Sequence, residues 1–335
     1  MSKNTLQNKG RIGELLRGRE VSLLVVLVLL CGFIQFRNSN FLTPNVINGI
    51  FKNYAYTMVM AFGMMLVLLI GGIDISVGAT LALSGMTSAI MMKEGMIASP
   101  LLVYLVSIAV GLVGGLLIGL VIAKGKVIPI IATLGFQYIY RGLTYAISDS
   151  DWVGTSEMSL EFKQFAQGKI LGINHLICIT IVIFVVFFIF LKWTNFGRQI
   201  YAVGSNPDAA RISGIRNDRI TIAVYAINGA ICGLCGAMLT GYYATAQPDM
   251  AAGSEMDVIA ACVLGGVSLN GGQGSAVGVL LGAITIAVIS KSLSMVGINA
   301  FWQQALKGGI ILAAVIVNVL VQRAANRRAL EGREI

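Results

Sequence analysis

The sequence predicts an all-α integral membrane protein of about ten transmembrane helices in two five-helix halves, some broken at glycine-rich motifs. Three observations carry this reading. Hydrophobic residues make up 56% of the 335 residues and charged residues only 12%, whereas soluble domains carry about 25% charged residues. The mean hydropathy is +0.83, and apolar runs of membrane length recur along nearly the whole chain. The Lys and Arg residues behind the net charge of +9 gather in a few short segments, as orientation signals do. That distribution excludes nucleic acid as the reason for the charge. Beside the spans there is no room for a large second domain, so 1–335 reads as one transmembrane domain.

The chain opens with a cytoplasmic N-terminus, 1–20, holding Lys3, Lys9, Arg11, Arg17 and Arg19. The apolar run behind it resembles a signal peptide, and Leu29-Leu30-Cys31-Gly32 resembles a lipoprotein cleavage site. No small residue precedes Cys31 and further spans follow at once, so an uncleaved first span is expected. Spans are expected at about 21–36, 50–70, 75–92, 101–123, 127–147, 174–192, 219–240, 256–268, 275–293 and 302–321. Several approach the lower limit of roughly 17 residues, so broken or partly inserted helices are expected. With the N-terminus inside, the inner segments collect sixteen of the 24 Lys and Arg residues. The loop with Asp149, Asp151, Glu157 and Glu161 falls outside, and 322–335 is a cytoplasmic C-terminus.

A polar interruption, Lys192 to Arg219, divides the spans five and five, so corresponding spans run in opposite directions, as inverted repeats require. Gly111, Gly115 and Gly119 in the fourth span are echoed by Gly274, Gly278 and Gly282 in the ninth, a spacing that lets helix backbones approach. Within the interruption, Asn206 to Gly214 reads as a short complete helix. Ser205 or Asn206 can cap it, Pro207 suits its first position, Asp208 complements its positive end and Gly214 stops it. Ala209, Ala210 and Ser213 share a side at helical spacing, a face of small residues suited to a socket on another protein. A solvated loop with one helical turn is the plainer alternative.

Two glycine-rich breaks stand out. Gly71 to Gly78 ends the second span and starts the third, with Asp74 or Ser76 able to cap the new helix; Gly265 to Gly274 separates the eighth span from the ninth. Breaks at membrane depth are tolerated only inside protein or along a cavity, and a tight turn at the inner surface is the alternative for each.

No catalytic constellation, metal-ligand spacing or phosphate loop is present, so neither catalytic residues nor metal nor other cofactor is expected. The single His175 is an interfacial residue, and Cys232 and Cys235 match a redox spacing inside an apolar helix where packing is the expectation. On this topology Asp74, Arg141, Asp257 and Lys291 sit near span ends, leaving Lys307 the most interior charge. Other interior polar groups are neutral: Asn53, Gln137, Asn228, Gln303 and Gln304. Neutral donors and acceptors suit an uncharged polyhydroxylated solute, and they equally serve interhelical hydrogen bonds. Asp74, Ser76, Gln137, Asn228 and Asp257 are the candidate path residues.

Several ordered motifs resemble the ribose-type permease subunits of bacterial ABC sugar importers. They are Phe41-Leu42-Thr43 with Asn45, Gly72 to Gly78, Ala123-Lys124-Gly125, Ile131 to Leu134 with Arg141-Gly142, and Gly197-Arg198. Gly204 and Asn206 follow, then Ala209-Ala210 with Ser213-Gly214-Ile215, Ala246-Gln247-Pro248, Glu255 and Asp257, and Gly265-Gly266 with Gly271-Gly272 and Gly274. The resemblance implies a single permease domain in the inner membrane that translocates a monosaccharide by alternating access. It also implies a second permease chain (identical or not), a separate cytoplasmic ABC ATPase, an extracytoplasmic sugar-binding protein and surrounding lipid. Residues 193–218 would be the coupling loop, with Gly204, Asn206, Ala209, Ala210, Arg211, Ser213 and Gly214 at the ATPase. Rival readings are a branched-chain amino-acid permease, whose relatives lack the Gly72–Gly78 pattern, and an ATP-independent secondary carrier.

Overall fold

The structure, a computed structural model, describes residues 19–170, 172–295, 297–299, 302–306, 308–309 and 312. The expectations for most of 1–20, for Lys307, for most of the span 302–321 and for the C-terminal segment lie outside these residues. Thirteen helices are described by name: α1 (Arg19–Arg37), α2 (Pro44–Asn53), α3 (Ala55–Leu69), α4 (Val77–Lys93), α5 (Pro100–Ala123), α6 (Pro129–Ile147), α7 (Leu160–Gln167), α8 (His175–Trp193), α9 (Asn195–Ser205), α10 (Pro207–Ile212), α11 (Asn217–Tyr243), α12 (Ser254–Leu264) and α13 (Ala276–Met295). Four of the five prolines, Pro44, Pro100, Pro129 and Pro207, open helices. There a missing N–H costs nothing and the fixed φ already suits the helix.

Among the described residues, four helices are long and apolar enough to cross a membrane: α5, α8, α11 and α13. The pair α2–α3, bent by 46° at Tyr54, makes a fifth if counted as one span. The other expected spans are less complete. α1 is apolar only from Leu23 onward, α4 has 17 residues, and α6 carries Arg141 within its 19 residues. The expected span 256–268 is only the 11-residue α12, about 16 Å long, roughly half the hydrocarbon thickness.

Packing centres on α3 and α11. Every residue of α3 except Tyr56 is buried, so this Met- and Leu-rich helix touches protein on all sides. α11 lies against α3, α4 and α5. Its contact with α5 is made of glycine: Gly111 and Gly115 face Gly229 and Gly233 with no room for a Cβ, and Ser107 Oγ donates to the Gly233 carbonyl at 2.7 Å. The ridge of the ninth span packs differently. Gly278 and Gly282 face Gly265 and Ala261 of the preceding α12 region, so the two sequence-similar ridges serve non-equivalent contacts.

All five cysteines are free. Cys235 and Cys262 lie with Sγ 3.3 and 3.2 Å from the Tyr56 and Ala61 carbonyl oxygens, as packing residues do. The 148–174 connection has structure of its own: a 3-10 turn at Thr155–Glu157, then α7, then a short antiparallel pair, Lys169–Ile170 with Ile173–Asn174. One bridge, Val153 to Ala246, ties it to the strap between α11 and α12.

Candidate functional site

The first break is a buried polar centre. α3 stops at Leu69, and Gly72 N–H turns back to the Val67 carbonyl at 2.9 Å. The chain then presents Asp74, which is 3% exposed. Asp74 Oδ1 accepts from the Ser76 N–H at 2.9 Å and the Ser76 hydroxyl at 2.6 Å, closing the turn that launches α4. Its Oδ2 accepts from Asn228 Nδ2 at 2.7 Å. The Ile73 carbonyl is approached at 3.4 Å by both the Thr133 and Tyr225 hydroxyls. Asn228 stands eleven residues into α11, about 17 Å along its axis. Asp74 lies between the end of α3 and the start of α4, near span ends as expected, and its carboxylate is buried against the middle of α11. The break lies inside protein, the condition under which irregular backbone is tolerated at depth.

Asp74, Ser76 and Asn228 thus come together, and two other candidates do not join them. Gln137 reaches from α6 toward Glu255 Oε1 at 3.5 Å, at the start of α12. Asp257 lies on another side of α12, within electrostatic range of Tyr54 and Tyr56. Residues outside the candidate set connect these regions. Arg141 Nη1 donates to the Pro248 and Met250 carbonyls at 2.7 and 3.0 Å, holding the strap that enters α12. Glu255 is 7% exposed. A buried carboxylate and a guanidinium satisfied by carbonyls are costly in a membrane and point to function.

The central segment is more ordered than a polar loop. α9, unforeseen in the sequence, is capped by the Thr194 hydroxyl, which accepts from Gly197 N–H at 3.0 Å. Ile200 and Val203 are its buried face. Asn206 then breaks the helix in extended conformation, and its Oδ1 accepts from Asp208 and Ala209 N–H at 3.1 and 3.0 Å. α10 follows and stops at Gly214, whose φ of +86° is the left-handed conformation that glycine adopts without strain. The short helix is where the capping pattern places it, but its faces differ from expectation. Ala210 is buried against its own chain, while Ala209, Arg211 and Ser213 are exposed. Ile212 is 86% exposed, an apolar knob among polar neighbours. Gly204 turns inward, against Leu69 and Gly272. Lys124 and Lys126 lie 3.4 and 2.9 Å from Asp218 at the start of α11, so these basic residues share one end of the bundle with the central segment.

Among the described residues, no group of three or more His, Cys, Asp or Glu could hold a metal ion. What the site offers is an inner hydrogen-bonded centre joined to helix breaks at one end and an exposed helix at that same end.

A family model described as a branched-chain amino acid transport system / permease component matches residues 45–315. The ribose import permease protein RbsC of Bacillus subtilis (strain 168) is 39% identical over 87% of this chain and 90% of its own length. The L-arabinose ABC transporter permease protein AraH of Azospirillum brasilense is 34% identical over 92% and 89%. The galactose/methyl galactoside import permease protein MglC of Escherichia coli (strain K12) is 34% identical over 90% and 94%. No solved structure matches. The family match embraces both breaks, the polar centre and the central segment, and the chain belongs to this family of transport-system permease components.

Proposed function

We propose that this chain is the membrane-spanning permease subunit of an ATP-binding-cassette importer for a monosaccharide, ribose or a related sugar. The observation that carries the proposal is identity to the ribose permease of 39% over 87% of the chain, with arabinose and galactose permeases aligned as fully. ATP hydrolysis belongs to a separate subunit. In this reading the chain has ten spans in the bacterial inner membrane, several of them short or broken. Both termini and residues 193–218 lie in the cytoplasm, and a second permease chain completes the path. An extracytoplasmic binding protein delivers the sugar.

The exposed α10, with Ile212 at its tip, meets the ATPase. Exposed apolar side chains at the centre of a polar surface favour partner contact. The Asp74–Ser76–Asn228 centre and the Gln137–Glu255 contact flank the route of the sugar. The test is uptake of labelled D-ribose, L-arabinose and D-galactose, with leucine as a control, by cells lacking this permease and by cells to which it is restored. Restored uptake of a sugar supports the reading. Restored leucine uptake with none of the sugars would overturn it.

A further inference from the structure

The two breaks and the central segment meet at one place. The Leu69 carbonyl, left without a helical partner at the end of α3, accepts from the Gly272 N–H at 2.9 Å. The first break is thereby bonded to the second. The end of α9 is set into the same junction. A Cβ at Gly204 would collide with the Leu69 carbonyl and stand 2.6 Å from Gly272 N, and a Cβ at Gly271 would stand 2.9 Å from the Gly204 carbonyl oxygen. One side chain bonds α9 to the second break: the Tyr201 hydroxyl donates to the Gly274 carbonyl at 2.8 Å.

We propose that Tyr201 and Gly204 are positioning residues for transport, fixing the central segment to both breaks so that a displacement of α10 moves them together. Main chain touches main chain here without intervening side chains, so the contact has little slack, as expected where packed elements transmit shifts. From Leu69 the chain reaches Asp74 in five residues, at most about 18 Å, so the junction is directly linked to the Asp74–Asn228 centre. On the other side Gly274 leads into α13. This inference rests on the reading of α10 as the ATPase contact and assigns a separate step, from α9 into the membrane.

The test uses the full complex of permease, ATPase and binding protein in vesicles, with labelled D-ribose, or with L-arabinose or D-galactose if one of these is the sugar carried. It reads sugar transported per ATP hydrolysed. Tyr201→Phe keeps the ring and removes the donor. The expected result is a ratio lower by roughly threefold to tenfold, the scale of one net hydrogen bond, with thermal stability and ATPase co-purification unchanged. Gly204→Ala should lower it further; if that variant fails to insert, Tyr201→Phe alone decides. A wild-type ratio in Tyr201→Phe overturns the inference. Ile212→Asp tests the docking reading separately: loss of ATPase co-purification there, beside a wild-type ratio in Tyr201→Phe, would uphold docking and sink the junction.

Discussion

Asn228 donates to Asp74 across 154 positions of sequence at 2.7 Å, joining the middle of α11 to the break that starts α4. Asp74→Asn keeps an acceptor for Ser76 but turns an amide N–H₂ toward the Asn228 donor. A buried donor left unpaired costs about 1–3 kcal/mol. Uptake per permease copy should fall by about tenfold, with the membrane level unchanged. The exchange Asp74→Asn with Asn228→Asp should recover part of the loss. Wild-type uptake in the single variant would reduce Asp74 to a turn residue.

The α5–α11 contact allows a packing test. A Cβ at Gly115 would stand 2.9 Å from Gly229 Cα and collide with the Tyr225 carbonyl, whereas one at Gly135 meets nothing within 4 Å. Gly115→Val should destabilise the protein by at least about 1–3 kcal/mol, and Gly135→Ala should be neutral. Thermal unfolding in detergent compares the two; equal midpoints would mean that the glycine seam does not hold the helices.

Glu157 supplies a pH test. The Gly154 N–H and the Lys93 ammonium, at 2.9 Å, hold its carboxyl below the ordinary value of 4.5. Folding thus favours the charged form. Its contribution is complete above the unfolded value and disappears as the pH falls through the lowered folded value. A fluorophore on Ser156→Cys should show a transition centred below pH 4.5 that is absent in Glu157→Gln. A transition unchanged by that substitution would assign it to another group.

The orientation is tested by Ser156→Cys and Ser213→Cys, both at exposed positions. Impermeant reagent applied outside the inner membrane should label the first and not the second. The reverse pattern would place α10 on the wrong side for an ATPase.

What was legible in the sequence was local. Asn206, Pro207 and Gly214 mark a helix through capping and backbone preferences acting within a few residues, and the glycine breaks are punctuation of the same kind. What was not legible depends on distant chain. Apolar stretches alone do not reveal that Asp74 reaches the middle of α11, because a loop's depth is set by what packs around it. The inward turn of Gly204 depends on Leu69 and Gly272, far away in sequence. α12 read as a full span because its apolar run continues into the break, where Gly265 and Gly266 end the helix.

The most direct measurement is accumulation of labelled D-ribose, L-arabinose or D-galactose by vesicles containing the permease, its ATPase and its binding protein. Wild-type vesicles should accumulate one of these sugars only when ATP is supplied on the ATPase side, and loaded binding protein should stimulate hydrolysis. Ile212→Asp, altering a side chain that is 86% exposed, should leave the permease folded while abolishing both. Undiminished accumulation by that variant, or accumulation by wild type without the ATPase, would contradict ATP-driven import coupled through the central segment.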